Sequence, residues 1–352
     1  MEEALLSVKS LDAVFQIEKR DYPVLQKLDF QVNKKETVCM VGESGCGKSV
    51  TALALMDLLP NNGKVTGGSI RLAGEEINGL SRQERRALRG KQMGMVFQEP
   101  MTALNPILTI GRQLTEGLML HRGMDRNAAY ECAAQCLDKV GIADPEERMR
   151  QYPFQMSGGM RQRAMIAMVL AVEPELFIAD EPTTALDVTI QKQVLVLLNR
   201  LKKDMEAGIL FITHNLGVVA EIADRVVVLY SGYKVEEGPV KEIFKDPQHP
   251  YTRGLLSCVP NVDDSNMVLR PIPGIMPNIT EHIPGCRFHP RCLLAEERCK
   301  KSVPQEEPCG AEGHYVSCFA VSTSAGSPPS SGLSSSSGSP LPAGSSQIKG
   351  NA

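Results

Sequence analysis

One stretch constrains the fold of this chain more than any other feature. Its residues are Gly42, Glu43, Ser44, Gly45, Cys46, Gly47, Lys48 and Ser49. They fit the phosphate-loop pattern G-x-x-x-x-G-K-[ST]. The apolar run 37–41 before the stretch predicts a buried strand, and residues 50–59 after it predict a helix. Because the pattern works between a strand and a helix, this context predicts a phosphate-binding loop in an α/β fold.

The predicted loop carries the groups that recognise a nucleoside triphosphate. Its glycines let backbone N–H groups approach phosphate oxygens, and the N-terminus of the following helix adds a positive dipole end. Lys48 is expected at the β- and γ-phosphates, and Ser49 is expected to place its hydroxyl on Mg²⁺. Phe15 and Tyr22 flank a turn ahead of the loop, where either could stack on the base or simply be an ordinary core or surface aromatic.

Composition narrows the class of protein. The chain has 352 residues, enough for one large domain with additions or for two domains. Its net charge of −3 gives no basic footprint, so we expect no nucleic-acid partner. The longest apolar run, 164–172, is shorter than the roughly 18 residues that span a bilayer. The acidic start at residues 1–3 lacks the basic end of a secretion signal, so we expect a cytosolic protein that meets a membrane through a partner.

Strand and helix patterns alternate along the chain. Strands are expected at 6–16, 24–32, 69–72, 93–97, 176–179, 209–213, 226–230 and 234–236. Helical spacing covers 110–140, and Ser157 is placed to begin a helix over 160–172. This alternation predicts a sheet covered by helices on both faces. Residues 322–352 are rich in Ser, Gly, Pro and Ala, and we expect them to be disordered.

Four polar side chains follow predicted strands where those strands end. Gln98 follows one strand, Asp180 and Glu181 follow a second, and His214 follows a third. A single polar residue at such a position often has only a structural role. Four of them beside a phosphate loop predict a ligand site, because open α/β sheets bind ligands at the carboxyl ends of their strands.

These motifs, in this order over about residues 5–260, resemble the nucleotide-binding subunits of ATP-binding cassette (ABC) transporters. Three stretches are similar to the oligopeptide/dipeptide importer branch, and they lie at 98–106, 152–163 and 249–252. The resemblance implies a RecA-like P-loop core, an antiparallel β subdomain and an inserted helical subdomain at about 99–175. It further implies a cassette over 1–240, a C-terminal cysteine-containing extension over 241–320 and a tail over 321–352.

The resemblance also assigns catalytic roles. Asp180 is expected to hold Mg²⁺, and Glu181 to activate water as general base. His214 is expected to bridge the γ-phosphate and Glu181. Gln98 is expected to touch Mg²⁺ or the water and to sense a membrane partner.

Further implied roles belong to a dimer of two such subunits. Ser157, Gly158 and Gly159 are expected to bind the γ-phosphate held by the opposite subunit, through a helix N-terminus. Asp187 is expected to communicate between the two halves. The chain departs from the general pattern at Cys46, where serine is commoner, and at Asn215, where aspartate is usual. Its Met-Arg-Gln at 160–162 is found in the peptide-importer branch.

The family's assembly predicts the partners. We expect a second, distinct ATPase subunit, two membrane-spanning permease subunits, an extracytoplasmic solute-binding protein and a peripheral position at the cytoplasmic face of the membrane. Nickel or another metal chelate, and glutathione, are alternative solutes for the same machinery. Soluble cassette ATPases of DNA repair or translation usually carry a coiled-coil insertion or two cassettes, and neither is found here. A nucleotide-binding metal sensor without turnover is disfavoured by Glu181 and His214.

Ten cysteines fall into two groups. Cys39, Cys46, Cys132, Cys136 and Cys258 are scattered and are expected to be reduced thiols. Cys286, Cys292, Cys299 and Cys318 have spacings of C-x5-C-x6-C-x18-C, with Cys309 as an extra and His289 and His314 nearby. Such a cluster favours a metal or iron–sulfur site over disulfides, without matching a zinc knuckle. A similar segment opens the C-terminal domain of the peptide-importer family and in some members resembles a [4Fe–4S] site. Iron–sulfur, zinc and unliganded thiols all stay open.

Overall fold

The structure is a computed structural model that describes residues 4–99, 103–183, 186–204, 206–258 and 272–321. The tail predicted over 321–352 lies outside these residues apart from Val321, and so do residues 100–102 of the stretch 98–106. The first strands and helices are β1 (Leu6–Ile17), β2 (Arg20–Val32), β3 (Thr37–Val41), α1 (Lys48–Leu55), β4 (Gly63–Leu72), β5 (Glu75–Glu76), α2 (Arg82–Leu88) and β6 (Met93–Val96). An inserted group of helices follows, with α3 (Ile110–Arg122), α4 (Arg126–Lys139), α5 (Pro145–Met149), a 3₁₀ turn (Pro153–Gln155) and α6 (Gly158–Ala171).

The second half returns to the sheet and ends in small elements. Its members are β7 (Leu176–Asp180), α7 (Val188–Asp204), β8 (Gly208–Ile212), α8 (Leu216–Ile222), β9 (Arg225–Tyr230), β10 (Tyr233–Pro239), α9 (Val240–Lys245), α10 (Pro250–Ser257), α11 (Glu297–Lys301), β11 (Glu307–Pro308) and β12 (Tyr315–Val316). Within the described ranges, no helix is long and apolar enough to cross a membrane.

The smaller sheet is antiparallel, with strand order β2-β1-β4-β5. Strands β1 and β2 form a hairpin in which Ile17 pairs with Arg20. Glu18 and Lys19 form its two-residue loop, and both have positive φ, as tight hairpin turns require. The turn is therefore shorter than the sequence pattern predicts, and β2 begins four residues earlier than the predicted strand. Strand β4 is also longer than predicted, because pairing with β1 continues through its glycine-rich first half.

The larger sheet has the order β11-β12-β10-β9-β3-β8-β7-β6. Its pairs from β9 through β3, β8 and β7 to β6 are parallel, and every residue of β3, β7 and β8 is buried. Cys39 and Val41 pack into one hydrophobic core, whereas Val38 and Met40 pack into the other. Since successive side chains of a strand point to opposite faces, the sheet is covered on both sides. The predicted α/β class with an antiparallel sheet and inserted helices is confirmed.

The C-terminal residues extend the large sheet. Strand β12 pairs with β10, placing Val316 beside Glu236. Tyr251 and Phe288 are buried in the same hydrophobic core as the parallel strands. Glu236 is fully buried and accepts hydrogen bonds from the N–H of His249 at 2.9 Å and from His314 Nε2 at 2.8 Å. The extension is thus packed directly onto the sheet that carries the phosphate loop.

Candidate nucleotide site

The phosphate loop connects β3 to α1 in a conformation that requires glycine at two positions. Gly42 has φ of 152° and Gly47 has φ of 112°. A Cβ atom at Gly42 would collide with the carbonyl oxygen of Leu229, and one at Gly47 would lie 2.9 Å from Leu25 Cδ2. Helix α1 begins directly after Gly47, so its free N–H groups face the loop.

Lys48 folds back over the loop and is only 6% exposed. Its Nζ donates to the carbonyl oxygens of Gly42 at 2.8 Å and Glu43 at 3.0 Å, and it lies 3.7 Å from Cys46 Sγ. Burial raises the pKa of the Cys46 thiol, which the lysine charge opposes. The thiol therefore stays protonated, and the ammonium group is fixed at the loop by carbonyl dipoles.

A carboxylate at the end of β7 faces the hydroxyl of the loop's last residue. Ser49 Oγ donates to Asp180 Oδ1 at 3.0 Å, and Asp180 is 4% exposed. Burial raises the pKa of Asp180, while the hydrogen bond from Ser49 lowers it. A hydroxyl and a carboxylate oxygen are ligands that Mg²⁺ prefers, so the two residues fit a magnesium site.

Glu181, the residue after Asp180, contacts two further side chains predicted from the sequence, His214 and Gln98. His214 Nδ1 lies 3.0 Å from Glu181 Oε1, and Gln98 Nε2 donates to Glu181 Oε2 over 3.4 Å. Glu181 has φ of 47°, an uncommon left-handed conformation for a side-chain-bearing residue, and its N–H donates to the carbonyl of Ile212 at 2.9 Å. Such strain is common at functional sites, and here it directs a carboxylate toward two hydrogen-bonding partners.

A cavity of about 520 Å³ collects most of these groups. Of the residues predicted from the sequence, it is lined by Phe15, Ser44, Gly45, Gly47, Lys48, Ser49, Gln98 and Glu181. Tyr22 pairs with Phe15 across the β1–β2 hairpin but does not line the cavity. Ser231, Arg287 and residues 276–279 also line it, and none of them is predicted from the sequence. Residues 276–279 belong to the C-terminal extension, and no motif in their local sequence predicts that they contact a nucleotide site.

The residues predicted to act across a dimer lie apart from this cavity. Ser157 is the N-cap of α6, and its hydroxyl accepts from the N–H of Met160 at 3.3 Å. Ser157 and Gly158 are exposed, and Gly159 is half-buried. Asp187 is exposed and caps α7 by accepting from the N–H of Ile190 at 2.9 Å. An exposed helix N-terminus is available to an anion from outside the chain.

The extension contacts the phosphate loop directly at Glu43. The N–H of Glu43 donates to Tyr251 Oη at 2.7 Å. Arg291 donates from Nη1 and Nη2 to the two carboxylate oxygens of Glu43, at 2.7 and 3.0 Å. These bonds to Glu43 raise the pKa of Arg291. The guanidinium also lies over the ring of Tyr230, 5.8 Å from its centroid.

The four cysteines predicted as ligands are neighbours. Burial raises the pKa of Cys286 to about 11, and negative charge on Cys299, Cys318 and Cys292 adds to this effect. Burial also raises the pKa of Cys309 to about 11, but the charges that add to this effect are those of Glu236 and Asp246. Across the described ranges, however, no group of three or more His, Cys, Asp or Glu side chains is placed to hold a metal ion. The predicted metal-binding site is therefore not supported.

The two nearby histidines have other partners. His289 Nδ1 lies 2.9 Å from the carbonyl oxygen of Cys286, and His314 is bonded to Glu236. Neither bond places an imidazole beside a thiol as a ligand.

Comparisons with known proteins identify the family. The family model of the ABC transporter matches residues 25–184, and that of the oligopeptide/dipeptide transporter C-terminal region matches residues 235–299. A Brucella melitensis biotype 1 protein named as a peptide import ATP-binding protein is 50% identical over 86% of this chain and 93% of its own length. This chain belongs to the oligopeptide/dipeptide branch of the ABC transporter family. It is an ABC ATPase, with the ATP and Mg²⁺ binding that this implies.

Other relatives agree with this ABC ATPase assignment. The oligopeptide transport ATP-binding protein OppD of Salmonella typhimurium is 46% identical over 90% of this chain and 93% of its own length. Among solved structures, the ATP-binding cassette MJ0796, in a dimeric post-hydrolysis state bound to ADP and Pi, is 26% identical. It matches 67% of this chain and 98% of its own, with a TM-score of 0.62.

Proposed function

We propose that this chain hydrolyses ATP to drive the import of oligopeptides or dipeptides, as the peripheral ATPase subunit of an ABC importer at the cytoplasmic face of the membrane. One observation carries the proposal. The hydrolytic group of Glu181, His214 and Gln98 adjoins the phosphate loop, in a chain whose C-terminal region matches the oligopeptide/dipeptide transporter model.

The proposed hydrolysis follows from the positions of these groups. Lys48 and the loop amides hold the β- and γ-phosphates, and Ser49 with Asp180 would hold Mg²⁺, which neutralises phosphate charge when bound. Glu181 accepts a proton from water as the water oxygen bonds to the γ-phosphorus and the bond to the ADP oxygen breaks. His214 and Gln98 hold the Glu181 carboxylate in place. The products are ADP and phosphate.

A second ATPase subunit completes the proposed site. Ser157, Gly158 and Gly159 would contact the γ-phosphate held by the opposite subunit, and Asp187 would respond to closure. The exposure of Ser157 and Gly158 supports this role, as does the dimer of the related cassette MJ0796. We propose a distinct ATPase chain as the partner, together with two permease subunits and an extracytoplasmic solute-binding protein.

The proposed base is tested by Glu181→Gln in the full chain, with Glu221→Gln on the exposed face of α8 as the matched control. Glu181→Gln should still bind ATP while phosphate release falls by about 10²-fold or more. Unchanged turnover would remove Glu181 as the base. Peptide uptake by proteoliposomes with the complete transporter tests the solute class, and uptake of nickel chelates or glutathione instead would redirect the assignment.

A further inference from the structure

Residues Met276, Pro277, Asn278 and Ile279 reach the nucleotide cavity from the C-terminal extension, and we call them the strap. The strap lines the same cavity of about 520 Å³ as the phosphate loop and Phe15. More than 200 residues separate it from the loop in sequence. Neither the phosphate-binding nor the hydrolytic groups assigned above include it.

Two arginines from one short segment hold the chain on either side of the strap. Before the strap, Arg291 Nε donates to the carbonyl of Pro273 at 2.8 Å. After it, Arg287 Nη1 donates to the carbonyl of Glu281 at 3.2 Å. Arg291 also donates two hydrogen bonds to Glu43 of the phosphate loop. The same side chain therefore links that loop to the residues just before the strap.

The cavity has two chemically different linings. Lys48 and Ser49 belong to the part that suits phosphate and Mg²⁺. Phe15 and Val24 are apolar lining residues, and the strap adds a methionine, a proline and an isoleucine to them. The fourth strap residue, Asn278, is polar, and its Oδ1 accepts hydrogen bonds from the N–H and hydroxyl of Thr280. An apolar wall next to an aromatic ring suits a planar nucleobase and offers little to a phosphate.

We propose that the strap forms a wall of the nucleobase subsite, so that the C-terminal extension contributes directly to ATP affinity. This inference rests on the proposed ATP site. It adds that the base is held between residues of the β1–β2 hairpin and residues of the extension, whereas the extension makes no direct contact with the triphosphate.

Two isoleucines of this segment make a matched test. Ile279 lines the cavity, whereas Ile275 is 89% exposed and does not. We compare Ile279→Ser with Ile275→Ser in the full chain, using calorimetric binding of ATP and of inorganic tripolyphosphate, which lacks a base. Ile279→Ser should weaken ATP binding about five-fold, since it removes one apolar contact, and leave tripolyphosphate unchanged. Ile275→Ser should change neither.

Pro277→Ser is a second strap variant, which tests the proposal even if Ile279→Ser fails to fold. It should also weaken ATP binding and leave tripolyphosphate binding unchanged. Equal ATP affinities in Ile279→Ser and Ile275→Ser would overturn the proposal. An equal loss of ATP and tripolyphosphate affinity would also overturn it, because the strap would then act through the phosphate loop. Lys48→Ala tests the underlying site separately: it should weaken both ligands, and its failure to do so would refute the ATP site itself.

Discussion

The pair between Arg291 and Glu43 allows a direct measurement of how strongly the extension holds the phosphate loop. The Arg291 side chain is 5% exposed and that of Glu43 is 29% exposed. Arg291→Met removes both bonds to the carboxylate and the bond to the Pro273 carbonyl, while keeping most of the packed aliphatic volume. It also removes two longer contacts, of 3.5 Å each, to the Gly274 carbonyl and to Tyr230 Oη.

The size of the effect follows from this geometry. Breaking a buried ion pair costs about 3–5 kcal/mol, because one charge stays buried without its partner. Glu43 keeps nearly a third of its exposure, so water can replace part of the lost interaction. We therefore expect Arg291→Met to lower the free energy of unfolding by about 2–3 kcal/mol.

The control is Arg298→Met, which makes the same chemical change in the same extension. Arg298 pairs with Glu296, and their side chains are 54% and 50% exposed. Arg298 also donates to the carbonyl of Phe319 at 2.7 Å, so both variants lose one short carbonyl contact. Arg291→Met loses in addition the two long contacts of 3.5 Å. The control should lose less than about 1 kcal/mol, so most of the difference between the two variants comes from the pair with the Glu43 carboxylate.

Urea unfolding followed by circular dichroism measures both variants, and Glu43→Gln completes a double-mutant cycle with Arg291→Met. The coupling free energy should be at least about 1.5 kcal/mol. ATP affinity should fall as well, because Glu43 belongs to the loop that binds phosphate. A coupling below about 0.5 kcal/mol, or equal losses in Arg291→Met and Arg298→Met, would refute the reasoning.

Two further predictions concern buried titratable groups. Burial lowers the pKa of His249 to about 4; the charge of Glu236 opposes this shift and that of Arg253 adds to it. Between about pH 6.5 and pH 4 the unfolded chain therefore binds a proton at this residue that the folded chain does not bind. Stability should fall by about 2 kcal/mol between pH 7 and pH 5. His249→Asn keeps an acceptor for the Tyr251 N–H but does not titrate, so a fall as large as wild type in urea experiments would contradict this origin. Cys46→Ser should bind ATP within about two-fold of wild type, because the loop uses backbone N–H groups; a larger loss in calorimetry would show that the thiol itself matters.

Local sequence pattern is sufficient to predict the phosphate loop and the polar groups at the strand ends. A buried strand must run through the core, and parallel neighbours must end at one edge, so the sequence alone brings Gln98, Asp180 and His214 together. Helix caps are equally readable, since Ser157 begins α6 as expected.

Contacts between distant parts of the chain could not be predicted in this way. Arg291 and Glu43 are 248 residues apart, and nothing in either local sequence indicates the other. Phe15 and Tyr22 pair across one hairpin, yet of the two only Phe15 lines the cavity, and the local sequence pattern does not distinguish them. The glycine-rich start of β4 likewise forms a strand because β1 is there to pair with it, despite poor intrinsic propensity.

The bonds around Arg291 have a thermodynamic consequence for the whole cassette. A nucleotide that contacts both the phosphate loop and the strap binds best when the extension is docked. By linkage, the free energy that docking adds to nucleotide binding must equal the free energy that the nucleotide adds to docking. ATP should therefore protect the amides of residues 272–281 from hydrogen exchange more than tripolyphosphate does. Equal protection by the two ligands would place the coupling in the phosphate loop and leave the strap outside it.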